Sequence, residues 1–406
     1  MTRTFVIVGA SLAGAKAAET LRDEGFDGRV VLVGAEPERP YERPPLSKEY
    51  LRGEAEAESV YVHPEGFYAE RDIELRTGAE VTALDVPGRT VTLADGDRLG
   101  WDALLLATGS EPRRLPIAGA GLEGVHYLRT RSDSDRLKAV IEAGGRLVVI
   151  GAGWIGAEVA ASARSGGMDV TLVERESVPL ETVLGAEVGR FYADVHRDHG
   201  VELLTDAGVE AIEGDGRAER VLLTDGHAID CAAVVVGVGV VPRTALAEAA
   251  GIAVDNGVLV DATLQAEGGE VFAAGDVANA EHPFFGRRVR VEHWANALNQ
   301  GPAAARSMMG RGEPFDRLPY FFSDQYDVGM EYSGLADPAA PVVVRGDLAA
   351  REAVVFWLGD DGRVLAGMNI NVWDVNEGVQ ALIRSRAVVD RSRLADPDVP
   401  LEQLSR

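Results

Sequence analysis

Thiols are almost absent from this sequence. Its 406 residues include a single cysteine, Cys231, so neither a disulfide framework nor a thiolate metal site can form within the chain. Cys231 precedes the apolar run AAVVVGVGV and reads as a small core residue. Positive charge is scarce as well. Forty Lys and Arg against 65 Asp and Glu leave a net charge of −25. Such a chain has no basic field to displace counterions from a nucleic acid or to hold it on an anionic membrane. Long apolar runs are missing too, and none approaches the length of a membrane span. The beginning imitates a secretory leader, with Arg3, an apolar run and small residues, but the same residues complete a different pattern. The compartment expected from the cysteine usage is the cytoplasm. With 46% hydrophobic and 26% charged residues the composition is that of a soluble globular protein, long enough for two or three domains.

What is present, twice, is a short apolar run followed by a glycine turn and an alanine-rich segment: FVIVGASLAG from Phe5 to Gly14, and LVVIGAGWIG from Leu147 to Gly156. This is the strand–turn–helix context of a dinucleotide-binding fingerprint. The first glycine allows the turn, the middle one lets backbone approach a pyrophosphate, and the last lets helix and strand pack closely. The anion then faces free N–H groups and the positive end of the helix dipole. In the first copy Ser11, also small, stands at the middle position. Each copy continues into a second apolar run ending in an acid, Glu36 in VVLVGAEPE and Glu174 in VTLVERE. An acid there hydrogen-bonds ribose hydroxyls. Further matches extend the duplication: Asp72-Ile-Glu-Leu with Gly200-Val-Glu-Leu, TVTLADG with RVLLTDG, and LLLATGSEPR with VVVGVGVVPR. Two homologous nucleotide units are expected.

The chain divides accordingly. Residues 1–113 and 244–314 form a discontinuous first unit, 114–243 a second, and 315–406 a small α+β domain. In that last part VVVRG, AVVFWL and VLAGMNINV read as antiparallel strands and Val375–Arg386 as one amphipathic helix. Within the first unit lies ERPYERPPLSKEYL, where Ser47 is placed to cap a helix starting at Lys48. No cysteine occurs there, which rules out thiol charge-transfer and sulfenic chemistry at that point. VFAAGDVAN reads as strand, then Gly275-Asp276, then a helix start, and Trp294 stands at the head of a helix running to about Met309. His196 and His199 sit three apart on a helix ending at Gly200. With no further ligand evident, they read as solvated residues, and no metal site is expected.

Together these residues resemble the FAD-dependent NAD(P)H:ferredoxin reductases, in particular the putidaredoxin, rhodocoxin and rubredoxin reductases and the reductase components of biphenyl-type dioxygenases. The resemblance rests on GASLAG with Glu36, ERPPLSK, ATGSEPRRLP, YLRT, GAGWIGAEVA, VER, AAGDVA, VEHWANALNQG and PYFFSDQYD, in order along nearly the whole chain. It implies two Rossmann-like domains of the glutathione reductase-like α/β type plus the C-terminal domain. It also implies bound FAD, with NADH as electron donor and NADPH less favoured. Gly9, Ser11, Leu12, Ala13 and Gly14 would cradle the FAD pyrophosphate and Glu36 its adenosine ribose. Arg43, Pro44 and Lys48 would line the phosphates and flavin ring. Val81 would meet the adenine side, and Ala107, Thr108 and Gly109 would form a crossover beside the FAD. Arg129 would reach the cofactor, Gly275 and Asp276 would hold the ribityl chain, and Trp294 would approach the pyrimidine end, with His293 contributing backbone. On the second cofactor, Gly151, Gly153, Ile155 and Gly156 would hold the NADH pyrophosphate and Glu174 its ribose. Gly239 belongs with this set, and Glu158 and Glu292 would sit near the nicotinamide. Phe322 falls where some relatives have tryptophan.

The implied chemistry is hydride transfer from nicotinamide C4 to flavin N5, with a Lys48–Glu158 ion pair beside N5. Single electrons then pass to a [2Fe-2S] ferredoxin serving a cytochrome P450 or ring-hydroxylating oxygenase. Glu174 favours NADH because a carboxylate repels a 2′-phosphate, although the cation Arg175 follows at once. Docking of an acidic ferredoxin would use Arg287, Arg288, Arg290, Arg306 and Arg311, with Arg306 and Arg311 foremost. The alternative for these arginines is a solvated surface. The protein would be a monomer or homodimer. The competing readings are a related flavoenzyme that reduces rubredoxin, a quinone or oxygen, and a redox sensor resembling the apoptosis-inducing factors.

Overall fold

The computed structural model describes residues 2–404. Contacts group the chain into two units. The first takes in the residues up to Glu42, then Glu58–Glu111 and Val240–Pro319. The second takes in Arg43–Ala57, Pro112–Gly239 and the described residues from Tyr320 onward.

In the first unit the opening apolar run is the strand Thr4–Val8. It pairs in parallel with Arg29–Val33 on one side and Ala103–Leu106 on the other. Ile73–Arg76 and Val271–Ala273 complete a five-stranded parallel sheet. The strands are apolar on both faces because both faces are covered. The helix Leu12–Asp23 covers one of them and packs on Trp294–Met308. These two helices approach so closely that a Cβ at Gly301 would lie 2.3 Å from the Ala13 carbonyl oxygen. The alanine-rich composition of the first helix is what permits that approach.

The second unit repeats the plan. Arg146–Ile150 pairs with Asp169–Val173 and Ala233–Val236, and Glu202–Leu204 lies beyond the former. Duplication extends to detail. Val81–Asp85, Thr90–Leu93 and Arg98–Gly100 form a three-stranded antiparallel sheet, as do Val209–Glu213, Arg220–Leu223 and Ala228–Asp230. Both sheets shift register at the same place, between Val81 and Ala83 and between Val209 and Ala211. The parallel sheets differ at one edge. In the first unit that edge strand comes from far downstream, Val271–Ala273, whereas in the second it is Val125–His126, ahead of the glycine loop.

The remainder of the second unit holds a five-stranded antiparallel sheet in the order Tyr320–Gln325, Val328–Gly334, Val364–Ile370, Glu352–Leu358, Val342–Asp347. The amphipathic helix Asn376–Ser385 packs on it. A shared core joins this sheet to the helix Glu181–Asp198: Leu184, Val188, Tyr192 and Val195 meet Phe321, Trp357 and Met368. The Trp357 indole donates to the Leu184 carbonyl at 3.1 Å. No helix among the described residues is long and apolar enough to cross a membrane.

Four local expectations change. No helix begins at Lys48: Pro44–Ser47 is a single 3-10 turn, and the Ser47 hydroxyl turns inward to a carboxylate instead of capping backbone. Gly275–Val277 is likewise a 3-10 turn, leading into the strand Ala278–His282. His196 is not solvated but wholly buried, on the face of its helix that meets the antiparallel sheet. Cys231 lies half-buried at the rim of the core rather than within it, and burial beside Asp230 pushes its thiol up to about 11.

Candidate functional site

Both glycine loops leave their helices uncapped. Ser11, at the head of Leu12–Asp23, is extended and its side chain accepts no cap hydrogen bond. Gly153, at the head of Trp154–Ser165, has no side chain to offer. Neither helix has an acid in its first turn. The helix Arg131–Ala143 is different, closing its N-terminus with a full capping box between Thr130 and Asp133. The two fingerprint helices thus keep free N–H groups and a positive dipole end for an external anion. Each loop is shaped for close backbone packing. Gly9 has φ +118°, and a Cβ there would lie 2.0 Å from the Ala107 carbonyl oxygen. Cβ atoms at Gly14 and Gly156 would lie 2.1 Å and 1.9 Å from the carbonyls of Gly9 and Gly151. This arrangement fits a dinucleotide pyrophosphate at each loop.

In the first unit Glu36 follows the strand Arg29–Val33, and Tyr41 donates its hydroxyl to the Glu36 carboxylate. Val81 opens its antiparallel strand. Ala107, Thr108 and Gly109 leave the strand Ala103–Leu106 and are tied to Arg243. The Thr108 hydroxyl donates to the Arg243 carbonyl and the Arg243 N–H to Gly109, both at 2.9 Å. The Gly275 N–H donates to Gln300 at 2.9 Å, and the buried Asp276 carboxylate accepts from the Ser110 hydroxyl at 2.7 Å. Glu292 also belongs to this unit and pairs with Arg290 at 2.5 Å, while Arg290 donates to the Asp276 carbonyl at 3.2 Å. Beside them burial lowers the pKa of His293 to about 4, against the pull of Asp276. Burial raises the Glu42 carboxyl, although a hydrogen bond from Trp294 opposes the shift.

Arg43, Pro44, Lys48 and Arg129 group with the second unit. Arg43 donates to the Arg129 carbonyl. Glu174 follows the strand Asp169–Val173 and reaches back to the glycine loop, accepting from the Ala152 N–H at 2.6 Å and from the Glu176 N–H at 3.0 Å. Arg175 is 82% exposed and pairs with Glu176. Gly239 accepts from the Arg113 N–H at 2.9 Å. Glu158, on the helix Trp154–Ser165, meets Lys48 at 2.8 Å, and each side chain is only 6% exposed. The Lys48 ammonium also donates to the Pro44 carbonyl at 3.3 Å and lies 5.5 Å from the centre of the Phe322 ring.

Several partners went unread in the sequence although the motifs containing them were recognised. Ser47 belongs to ERPPLSK, Ser323 and Gln325 to PYFFSDQYD, Ser110 to ATGSEPRRLP and Gln300 to VEHWANALNQG. Serine and glutamine carry no spacing signal of their own, so only the fold shows which groups they serve. The arginines expected to dock a ferredoxin are engaged locally. Arg306 pairs with Glu24 at 2.6 Å, Arg311 donates to the Glu24 carbonyl, and Arg288 pairs with Glu281.

The family model of the pyridine nucleotide-disulphide oxidoreductases matches residues 3–301, and that of the reductase C-terminal domain matches 320–405. The chain is 41% identical to a 5,5′-dehydrodivanillate O-demethylase ferredoxin reductase subunit of Sphingobium sp., with 98% of each chain covered. It is 40% identical to a probable ferredoxin reductase of Castellaniella defragrans, again with 98% of each covered. The reductase in the crystal structure of the covalent putidaredoxin reductase–putidaredoxin complex superposes with a TM-score of 0.94 at 38% identity, over 99% of this chain and 98% of that one. The chain belongs to the pyridine nucleotide-disulphide oxidoreductase family and, within it, to the ferredoxin reductases.

Proposed function

We propose that this protein is a cytoplasmic FAD-dependent NADH:ferredoxin oxidoreductase. It draws hydride from NADH and delivers single electrons to a [2Fe-2S] ferredoxin serving a cytochrome P450 or a ring-hydroxylating oxygenase. The observation that carries this reading is the pair of uncapped glycine-loop helices in a chain with no thiol beside the first. Such a chain has places for two dinucleotides and no sulfur to take the electrons onward. The acceptor class is supported by the relatives: one is a ferredoxin reductase subunit of an O-demethylase, and the solved neighbour is joined to putidaredoxin.

Bound FAD would supply the exchange between two-electron and one-electron transfer. The protein's part is to bind and orient. The Gly9–Gly14 loop takes the FAD pyrophosphate and Glu36, held by Tyr41, the ribose. Val81 meets the adenine side, and Ala107, Thr108 and Gly109 form the crossover beside the FAD. Asp276, held by Ser110, and Gly275, held by Gln300, take the ribityl chain, with Trp294 at the pyrimidine end. Arg43 and Pro44 line the phosphates and flavin ring, and Arg129 reaches the cofactor. Gly151, Gly153, Ile155, Gly156 and Gly239 receive NADH. Glu158 and Glu292 serve its nicotinamide end, and Lys48, anchored by Glu158, places a cation at the flavin. Glu174 selects NADH by repelling a 2′-phosphate. Arg306 and Arg311 contribute to ferredoxin docking: Arg306 keeps 48% of its side chain exposed while paired with Glu24.

The test is an anaerobic absorbance titration with NADH and then NADPH, followed by addition of a [2Fe-2S] ferredoxin. Bleaching by NADH and recovery on adding ferredoxin is the expected result. A flavin that neither nucleotide reduces would remove the assignment.

A further inference from the structure

Glu158 is surrounded by hydroxyls as well as by Lys48. One carboxylate oxygen accepts from Lys48 at 2.8 Å and from the Ser47 hydroxyl at 2.5 Å. The other accepts from the Ser323 hydroxyl at 2.7 Å. Ser323 in turn accepts from the Gln325 amide at 3.3 Å, and the Gln325 oxygen faces Nε2 of His196 at 3.0 Å. The Tyr326 hydroxyl lies 3.4 Å from Nδ1 of the same ring. Glu158, Ser47, Lys48, Ser323, Gln325 and His196 are all buried. Behind Ser47, the Ser162 hydroxyl donates to the Ser47 carbonyl at 2.7 Å and fixes the turn.

The chain has one polarity. A carboxylate only accepts, so Ser323 must donate to it. Its oxygen in turn accepts from the amide nitrogen of Gln325. That leaves the amide oxygen toward His196, which must carry its proton on Nε2. A charged imidazole is not required, since burial lowers the His196 pKa to about 4 against the opposing bond from Gln325. The direction also excludes a proton relay, because a primary amide does not pass a proton along in this way. What remains is orientation: every donor in the row turns the next group toward Glu158.

We propose that Ser323, Gln325 and His196 are positioning residues for the reaction, a one-way donor row that holds the Glu158 carboxylate in the orientation in which it anchors Lys48. The inference rests on the reading of the protein as an NADH-dependent flavin reductase. It adds that Ser323 and Gln325, on the strand Tyr320–Gln325, and His196, on the helix Glu181–Asp198, act on hydride transfer through Glu158.

Three variants test it in the FAD-loaded protein: Ser323→Ala, which removes the donor, Ser323→Thr, which keeps it, and Gln325→Met, which breaks the row at nearly constant volume. Anaerobic stopped-flow at saturating NADH reads the rate of flavin reduction, and titration with NAD⁺ reads nucleotide affinity. S323A should lower the limiting rate about tenfold, the size of one hydrogen bond to a charged group, with NAD⁺ affinity unchanged. Q325M should act in the same direction by less, and S323T should retain most of the rate. Independently of turnover, ¹⁵N-histidine NMR should show His196 as the neutral Nε2–H tautomer from pH 5.5 to 8, with its Nε2 resonance displaced in Q325M. Wild-type rates in both S323A and Q325M would overturn the proposal, as would an Nδ1–H or protonated His196 in the parent protein. Should S323A fail to fold, Q325M carries the same decision. A parent protein whose flavin NADH does not reduce would remove the functional reading, while the ¹⁵N spectra would still decide the polarity of the row.

Discussion

Lys48 and Glu158, 110 positions apart in sequence, meet at 2.8 Å with almost no solvent on either side chain. Removing one member leaves the other buried and uncompensated, which costs about 3–5 kcal/mol. Glu158→Ala should therefore lower the urea stability of the FAD-loaded protein by that amount. Lys48→Met should slow flavin reduction by NADH at least about tenfold and lower the flavin midpoint potential, because a cation near the ring stabilises its reduced, anionic form. If K48M left both rate and potential unchanged, the lysine would have no part in the chemistry.

Glu174 braces the loop at the Ala152 N–H, and in the proposed function it also repels a 2′-phosphate. Glu174→Ser should shift the ratio of kcat/KM for NADPH over NADH upward by about tenfold or more, the worth of one removed charge clash. Steady-state kinetics with both nucleotides measure it. An unchanged ratio would mean that nucleotide choice is made elsewhere.

The two glycine loops are separable. Gly14→Ala and Gly156→Ala each force a Cβ against a backbone carbonyl, an overpacking worth about 1–3 kcal/mol. G14A should be purified with substoichiometric FAD, read from the flavin-to-protein absorbance ratio. G156A should keep its flavin and show a raised KM for NADH. The reverse pattern would exchange the loop assignments.

His196 makes stability depend on pH. Its folded pKa is depressed from 6.5 to about 4, so the unfolded chain binds a proton that the folded one does not. The stabilisation is complete above pH 6.5 and is lost as the pH falls toward 4. From pH 7 to pH 5 the loss from this residue is about 2 kcal/mol. Urea denaturation of His196→Gln should show a shallower acid slope than the parent. Some slope should persist, because burial depresses His293 to the same value.

Ferredoxin docking on a chain of charge −25 calls for a local basic face. Arg306→Gln should raise the KM for an acidic ferredoxin severalfold at low salt and flatten its salt dependence, with flavin reduction by NADH unaffected. If KM stayed unchanged, Arg306 would serve only to hold Glu24.

Much of this protein could be read in one dimension. Parallel strands buried on both faces must be apolar, tight turns at a pyrophosphate must be glycine, and a duplicated unit repeats both signals. The two sheets and both loops were therefore legible, and so was the pairing of Lys48 with Glu158 once the motifs holding them were recognised as a set. The environment of that pair was not. Ser47 read as a helix cap, because serine before a lysine-led segment has the local grammar of one, and a carboxylate 111 positions away competed for its hydroxyl. His196 read as solvated because a histidine pair near a helix end is usually exposed, until an antiparallel sheet from the last quarter of the chain covered that face. Sequence alone determined what short-range chemistry imposes: strand, turn, helix and their repetition. Only the tertiary structure decided which buried polar atoms face one another, because hydrogen bonds between side chains more than a hundred residues apart leave no periodicity in the chain that makes them.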